Sequence, residues 1–174
     1  VKDMSQTPTV ETHTISTFAY LDFTILATIF MVPLVFSGPQ LVVGTIVNAC
    51  LFLAAENWPV KKLIPLAILP SIGAILHGVV LGAFTPLLLY MAPFIWISNL
   101  ILMLSYQYLR TKSVGIGVGL AAGVKALFLF SIAWLLVGSH VLPAVFLTSM
   151  GALQLASALL GGSLVAFLNK IIQR

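Results

Sequence analysis

One lysine, Lys125, stands inside an otherwise apolar run that extends from Val114 to Val137. A helix rises 1.5 Å per residue, so about twelve residues from the inner end of the run place Lys125 ~18 Å deep, near the middle of a ~30 Å hydrocarbon layer. A lysine at that depth needs an anion, a water-filled cavity or a lowered pKa. Two arrangements would supply an anion: an ion pair with Asp22, the only acid within an apolar run, or a bound ligand. Asp22 should lie only ~9 Å from the inner surface, so that pair would require the lysine stem to bend inward. Other polar and aromatic side chains interrupt the apolar runs at comparable depth: Asn48, His77, Trp96, Asn99, Trp134 and Gln154. Trp96 and Asn99, three apart, share a helix face. Each has a plain role available, an interhelical hydrogen bond or a place in an aromatic belt. Together they have the make-up of a small-molecule pocket, mostly apolar with a few placed polar groups.

The elements that must position these residues follow from composition. Of the 174 residues, 60% are hydrophobic and 7% charged, and the mean hydropathy is +1.15. Soluble domains carry roughly 25% charged residues, so lipid is the expected solvent and the expected fold is an all-α integral membrane bundle. Six transmembrane helices are predicted, over 16–36, 41–55, 63–84, from the Thr85-Pro86 return to 109, over 114–137 and over 141–168. Breakers separate them at Ser37-Gly38-Pro39, Glu56-Asn57-Trp58-Pro59, Thr85-Pro86, Arg110 to Ser113 and Gly138-Ser139-His140. Residues 1–15 read as a polar cytoplasmic tail rather than a signal peptide, and 16–170 as one transmembrane domain. With the N-terminus inside, Lys2, Lys61, Lys62, Arg110, Lys112, Lys170 and Arg174 all fall on the cytoplasmic side, and the outer turns hold no Lys or Arg. That asymmetry predicts both termini inside and a multi-pass protein of the cell membrane.

Several classes are disfavoured. The basic residues form no face or arm for nucleic acid. Cys50 is the only cysteine, so an intrachain disulfide or a CxxC metal site is excluded. No GxxxxGK[ST] phosphate loop, HExxH motif or rhomboid-type GxSG serine is present, and the expectation is a non-enzyme without cofactor or metal. A haem between His77 and His140 is a weaker reading, because His140 falls in a turn.

Small residues recur every four positions at Gly115, Gly119 and Gly123, and at Ala158, Gly162 and Ala166. Such rows let helices approach closely; the expectation is packing inside the bundle, with docking of a partner membrane protein as the alternative. Taken with the six-helix layout, the outward polar pocket and the ending from Gly151 to Ser163 (GALQLASALLGGS), the chain resembles the substrate-binding S component of an energy-coupling factor (ECF) vitamin transporter. The resemblance implies capture of a vitamin-like small molecule from outside, with a transmembrane coupling subunit and two ATPase subunits as partners. It implies substrate contacts from Asn48, His77, Trp96, Asn99, Lys125, Trp134 and Gln154, and gating by the turn after Phe36. That family often docks its coupling subunit through AxxxA on the first helix. Here Ala19 and Ala27 are eight apart with Phe23 between them, and these three are the matching docking positions. A non-transporting anchor or scaffold subunit of a larger complex, redox complexes included, is the alternative function.

Overall fold

The computed structural model describes residues 9–36, 38–78 and 82–172, with side chains from Tyr20 on. The described residues form helices and connections only: α1 (Thr9–Val35), α2 (Gln40–Asn57), α3 (Val60–His77), a 3-10 turn (Gly82–Leu87), α4 (Leu88–Leu109), α5 (Val114–Gly138), a short α6 (Val145–Met150) and α7 (Ala152–Ile172). Local chemistry sets the boundaries. Pro39 and Pro59, both extended, precede α2 and α3, where a missing N–H costs nothing. Trp58 closes α2 in an extended conformation, as the residue before a proline must.

Three boundaries differ from expectation. α1 begins at Thr9, so the second half of the expected 1–15 tail is helical; residues 1–8 lie outside the described residues. The third helix stops at His77 rather than at 84, because Gly78 adopts φ 77°, the left-handed cap that glycine tolerates. The sixth expected helix is two: it starts at Val145 and breaks at Gly151. A Cβ at Gly151 would meet Leu147 O at 2.8 Å and the Phe130 ring at 2.8 Å, so the break requires glycine.

Among the described residues, five stretches are long and apolar enough to cross a membrane: 40–57, 60–77, 83–109, 114–138 and 145–172. In α1 the part with described side chains, Tyr20–Val35, is apolar as well. The helices close a ring in the order α1, α3, α4, α5, α7, α2, and α2 also touches α4 across the middle. α6 fills the end of the ring between α5 and α7. Large apolar side chains such as Leu76, Leu127, Trp134 and Phe167 face outward, while Asn48, Ser71, Ser98, Asn99, Lys125 and Ser157 are buried. Apolar outside and polar inside is stable only in lipid. The protein is an all-α membrane bundle.

Two close crossings hold the ring. A Cβ on Gly161 would lie 2.7 Å from both Ala49 N and Thr45 O, so α7 meets the backbone of α2 directly. A Cβ on Gly73 would lie 2.6 Å from Phe30 O, which brings α3 equally near α1. Gly162 packs against Val118 and Phe52, and Ala158 is fully buried, as expected of that row. The other row corrects the expectation of internal packing. A Cβ at Gly115, Gly119 or Gly123 would meet nothing within 4 Å, because the inner face of α5 is the one bearing Val118, Ala122, Lys125 and Leu129.

Candidate ligand-binding site

The buried apolar side chains form two clusters. One joins residues such as Phe52, Leu66, Leu102 and Ala122; the other joins Leu88, Met91, Leu129, Phe146 and Met150. Lys125 on α5 and Asn99 on α4 fall between them along the chain. At that junction apolar packing gives way to a hydrogen-bonded network.

Lys125, 2% exposed, donates from Nζ to Asn48 Oδ1 at 2.7 Å and to Asn99 Oδ1 at 2.8 Å. Both amides are held in that orientation from behind. Asn99 Nδ2 donates to Ala67 O at 2.9 Å, and a carbonyl can only accept, so Oδ1 must turn to the lysine. Asn48 Nδ2 donates to Ser157 Oγ at 3.1 Å, and Ser157 passes its own proton to Gln154 O at 3.2 Å. Helices α2, α3, α4, α5 and α7 thus meet in one network. On α3, Pro70 cannot donate to the carbonyl one turn back, which loosens the ladder beside Ala67.

A cavity of about 100 Å³ opens beside the lysine. Its polar lining is Lys125, Asn48, Asn99, Gln154, Gln40, Ser71 and Ser157, and its apolar wall includes Val43, Val47, Pro70, Ile95, Met150 and Leu153. Gln40 is anchored by Nε2 to Ser149 O at 3.3 Å. Ser71 Oγ donates to Ile68 O and accepts from Trp96 Nε1. The lining comes from the end of α1, the first halves of α2 and α7, the first half and middle of α4, the second half of α3, the middle of α5 and the end of α6. The cavity therefore lies in the half of the bundle opposite Lys61, Lys62, Arg110, Lys112 and Lys170.

Of the residues expected to bind a ligand, Asn48, Asn99, Lys125 and Gln154 line this cavity. Trp96 stands one bond behind it through Ser71. His77 is not brought in: its Nδ1 lies 2.7 Å from Leu34 O and ties the end of α3 to α1. Trp134 is 61% exposed on the outer face of α5 and does not reach the cavity. Gln40, Ser71 and Ser157 were not picked out in the sequence. Ser157, one turn after Gln154 on the same face, was the most readable of the three. The Asp22 alternative for Lys125 is excluded by geometry, since Asp22 pairs with Lys62 at 3.1 Å.

No protein-family profile, curated protein or solved structure matches this chain. The site's chemistry therefore has to be argued from its own geometry.

A second polar knot closes the opposite end. Glu56 Oε1 accepts from Tyr106 OH at 2.6 Å, and Asn169 Nδ2 donates to both carboxylate oxygens at 2.9 Å. Arg110 Nη2 caps Glu56 O at 3.1 Å. This carboxylate, unremarked in the sequence, ties α2, α4 and α7 together far from the cavity. Among the described residues no group of three or more His, Cys, Asp or Glu side chains could hold a metal. Of the expected docking positions, Phe23 is exposed and Ala27 half-buried, while the side chain of Ala19 lies outside the described residues.

Proposed function

We propose that the protein is the substrate-binding membrane subunit of an ECF-type uptake transporter and that it captures a vitamin-like small molecule in the Lys125 cavity. The observation that carries the reading is a buried ammonium with three donors, two of them engaged by neutral amides, beside a cavity walled by apolar side chains. A purely structural lysine gains nothing from such a cavity, and replacing it with an apolar residue would be cheaper. With the basic ends of the helices in the cytoplasm, the cavity occupies the outer half of the membrane, on the side from which an uptake substrate arrives. Both termini are then cytoplasmic, in the cell membrane. Transport energy comes from a transmembrane coupling subunit and two ATPase subunits, which dock on a surface that includes Ala19, Phe23 and Ala27.

A second reading, a non-transporting anchor or scaffold subunit, is favoured by one observation: the Gly115, Gly119 and Gly123 row has open space before it, where a helix of another membrane protein could approach closely. The deciding experiment is mass spectrometry of small molecules released from the purified, detergent-solubilised protein, beside a Lys125→Ala control. The uptake reading expects a stoichiometric compound that the variant lacks. Co-purifying polypeptides with no small molecule would hand the lead to the scaffold reading.

A further inference from the structure

Charge balance and volume narrow what the cavity can take. Among the described residues its lining includes one titratable side chain, Lys125, and no Asp, Glu, Arg or His. The two groups that touch the ammonium are neutral amide oxygens, each fixed by a further hydrogen bond. With Lys125 protonated, the site carries one positive charge to which no described residue supplies a counter-ion. In a low-dielectric interior, uncompensated charge is costly. A ligand with one negative charge brings the balance to zero. A neutral ligand leaves +1, a cation raises it to +2, and a dianion overshoots to −1.

Volume sets the size. At about 10–15 Å³ for each water admitted, a cavity of about 100 Å³ takes roughly seven to ten water-sized groups. That is the scale of one ring or a short chain. The wall of Val43, Val47, Pro70, Ile95, Met150 and Leu153 suits an apolar body, and the amides of Gln40 and Gln154 can add donors to the charged head.

Resting on the reading of this cavity as the binding site, we infer that the ligand is a small monoanion: a single carboxylate-type head on an apolar body of one ring or a short chain. Lys125 neutralises the head, Asn48 and Asn99 hold Lys125 in place, and the apolar wall packs against the body.

The test uses the full chain in detergent and four probes of nearly one shape: benzylamine, benzamide, benzoate and phthalate. Binding is followed by equilibrium dialysis and by the shift of the melting temperature, and small molecules extracted from the protein are analysed alongside. Benzoate should bind at least ~10-fold tighter than the other three, the scale of one charge-assisted hydrogen bond. The preference should vanish in Lys125→Met and in Asn48→Asp, the second of which supplies an internal counter-ion without removing the lysine. The ranking within the unaltered protein needs neither variant to fold. Equal or better binding of benzamide, benzylamine or phthalate would overturn the monoanion while leaving the binding reading in place. If no probe binds, the extracted compound decides: one negative charge supports the inference, and a neutral, cationic or doubly charged compound overturns it. No probe bound and nothing extracted would remove the cavity as a binding site and both conclusions with it.

Discussion

At the residue scale, the Lys125 network is a set of dependent bonds rather than a sum of independent ones. Removing one acceptor leaves a buried ammonium with a single partner, and hydrogen bonds to charged groups contribute about 1.5–3 kcal/mol. Asn99→Leu should therefore lower stability by about 2 kcal/mol, read as a fall in the detergent melting temperature. The double variant Asn99→Leu/Lys125→Met removes the charge together with its acceptor and should recover most of that loss, because an apolar pair of similar volume replaces a desolvated cation. A double variant as unstable as the sum of the two single ones would mean that the lysine and the amide do not share an energy. The participants were largely legible in the sequence, since ionisable and amide groups deep in apolar runs stand out. Trp134 and His77 stood out for the same reason and are not part of the network. Depth can be counted along a helix, but which way a side chain faces depends on the rotation of the helix against its neighbours.

At the element scale, the two glycine-bearing rows look alike in sequence and play opposite parts. Gly162 of one row, with Gly161 beside it, sits where α7 meets α2 and α5, and Gly115, Gly119 and Gly123 of the other meet only open space. Gly161→Ala should force α7 and α2 apart, costing about 1–3 kcal/mol as overpacking does, since the new methyl would contact backbone atoms that cannot swing aside. Gly119→Ala has open space before it and should be neutral or stabilising by up to about 1 kcal/mol through helix propensity alone. Melting temperatures of the two variants, measured side by side on the purified protein, give the comparison. An equal loss in both would place the outward row inside an interface formed by the purified protein itself.

At the scale of the whole molecule, Lys61, Lys62, Arg110, Lys112 and Lys170 lie at one end and the cavity in the other half, and sidedness follows from which end faces the cytoplasm. With the basic end inside, a cysteine introduced at exposed Ser139 should react with a membrane-impermeant maleimide in intact cells. One at exposed Lys112 should react only after the membrane is opened. The native Cys50 is buried and should stay silent. The reverse labelling pattern would put the cavity on the cytoplasmic side and remove the argument for uptake.

Composition alone determined that lipid is the solvent and that the chain is a helical bundle, because no soluble fold can cover so much apolar surface with so few charges. Prolines and glycines placed most turns, through conformations that other residues avoid. The break at Gly151 was less visible, since apolar residues continue across it and only the crowding by Leu147 and Phe130 requires it. Tertiary structure alone decided that Lys125 meets Asn48 and Asn99 instead of Asp22, and that Gln40, Ser71 and Ser157 join it. The physical reason is that hydrophobicity along a membrane helix is nearly uniform around its circumference, so the sequence carries little record of which face turns inward. That choice is made by close approach between helices, at Gly161 and Gly73, and by the need of each buried polar group for a partner.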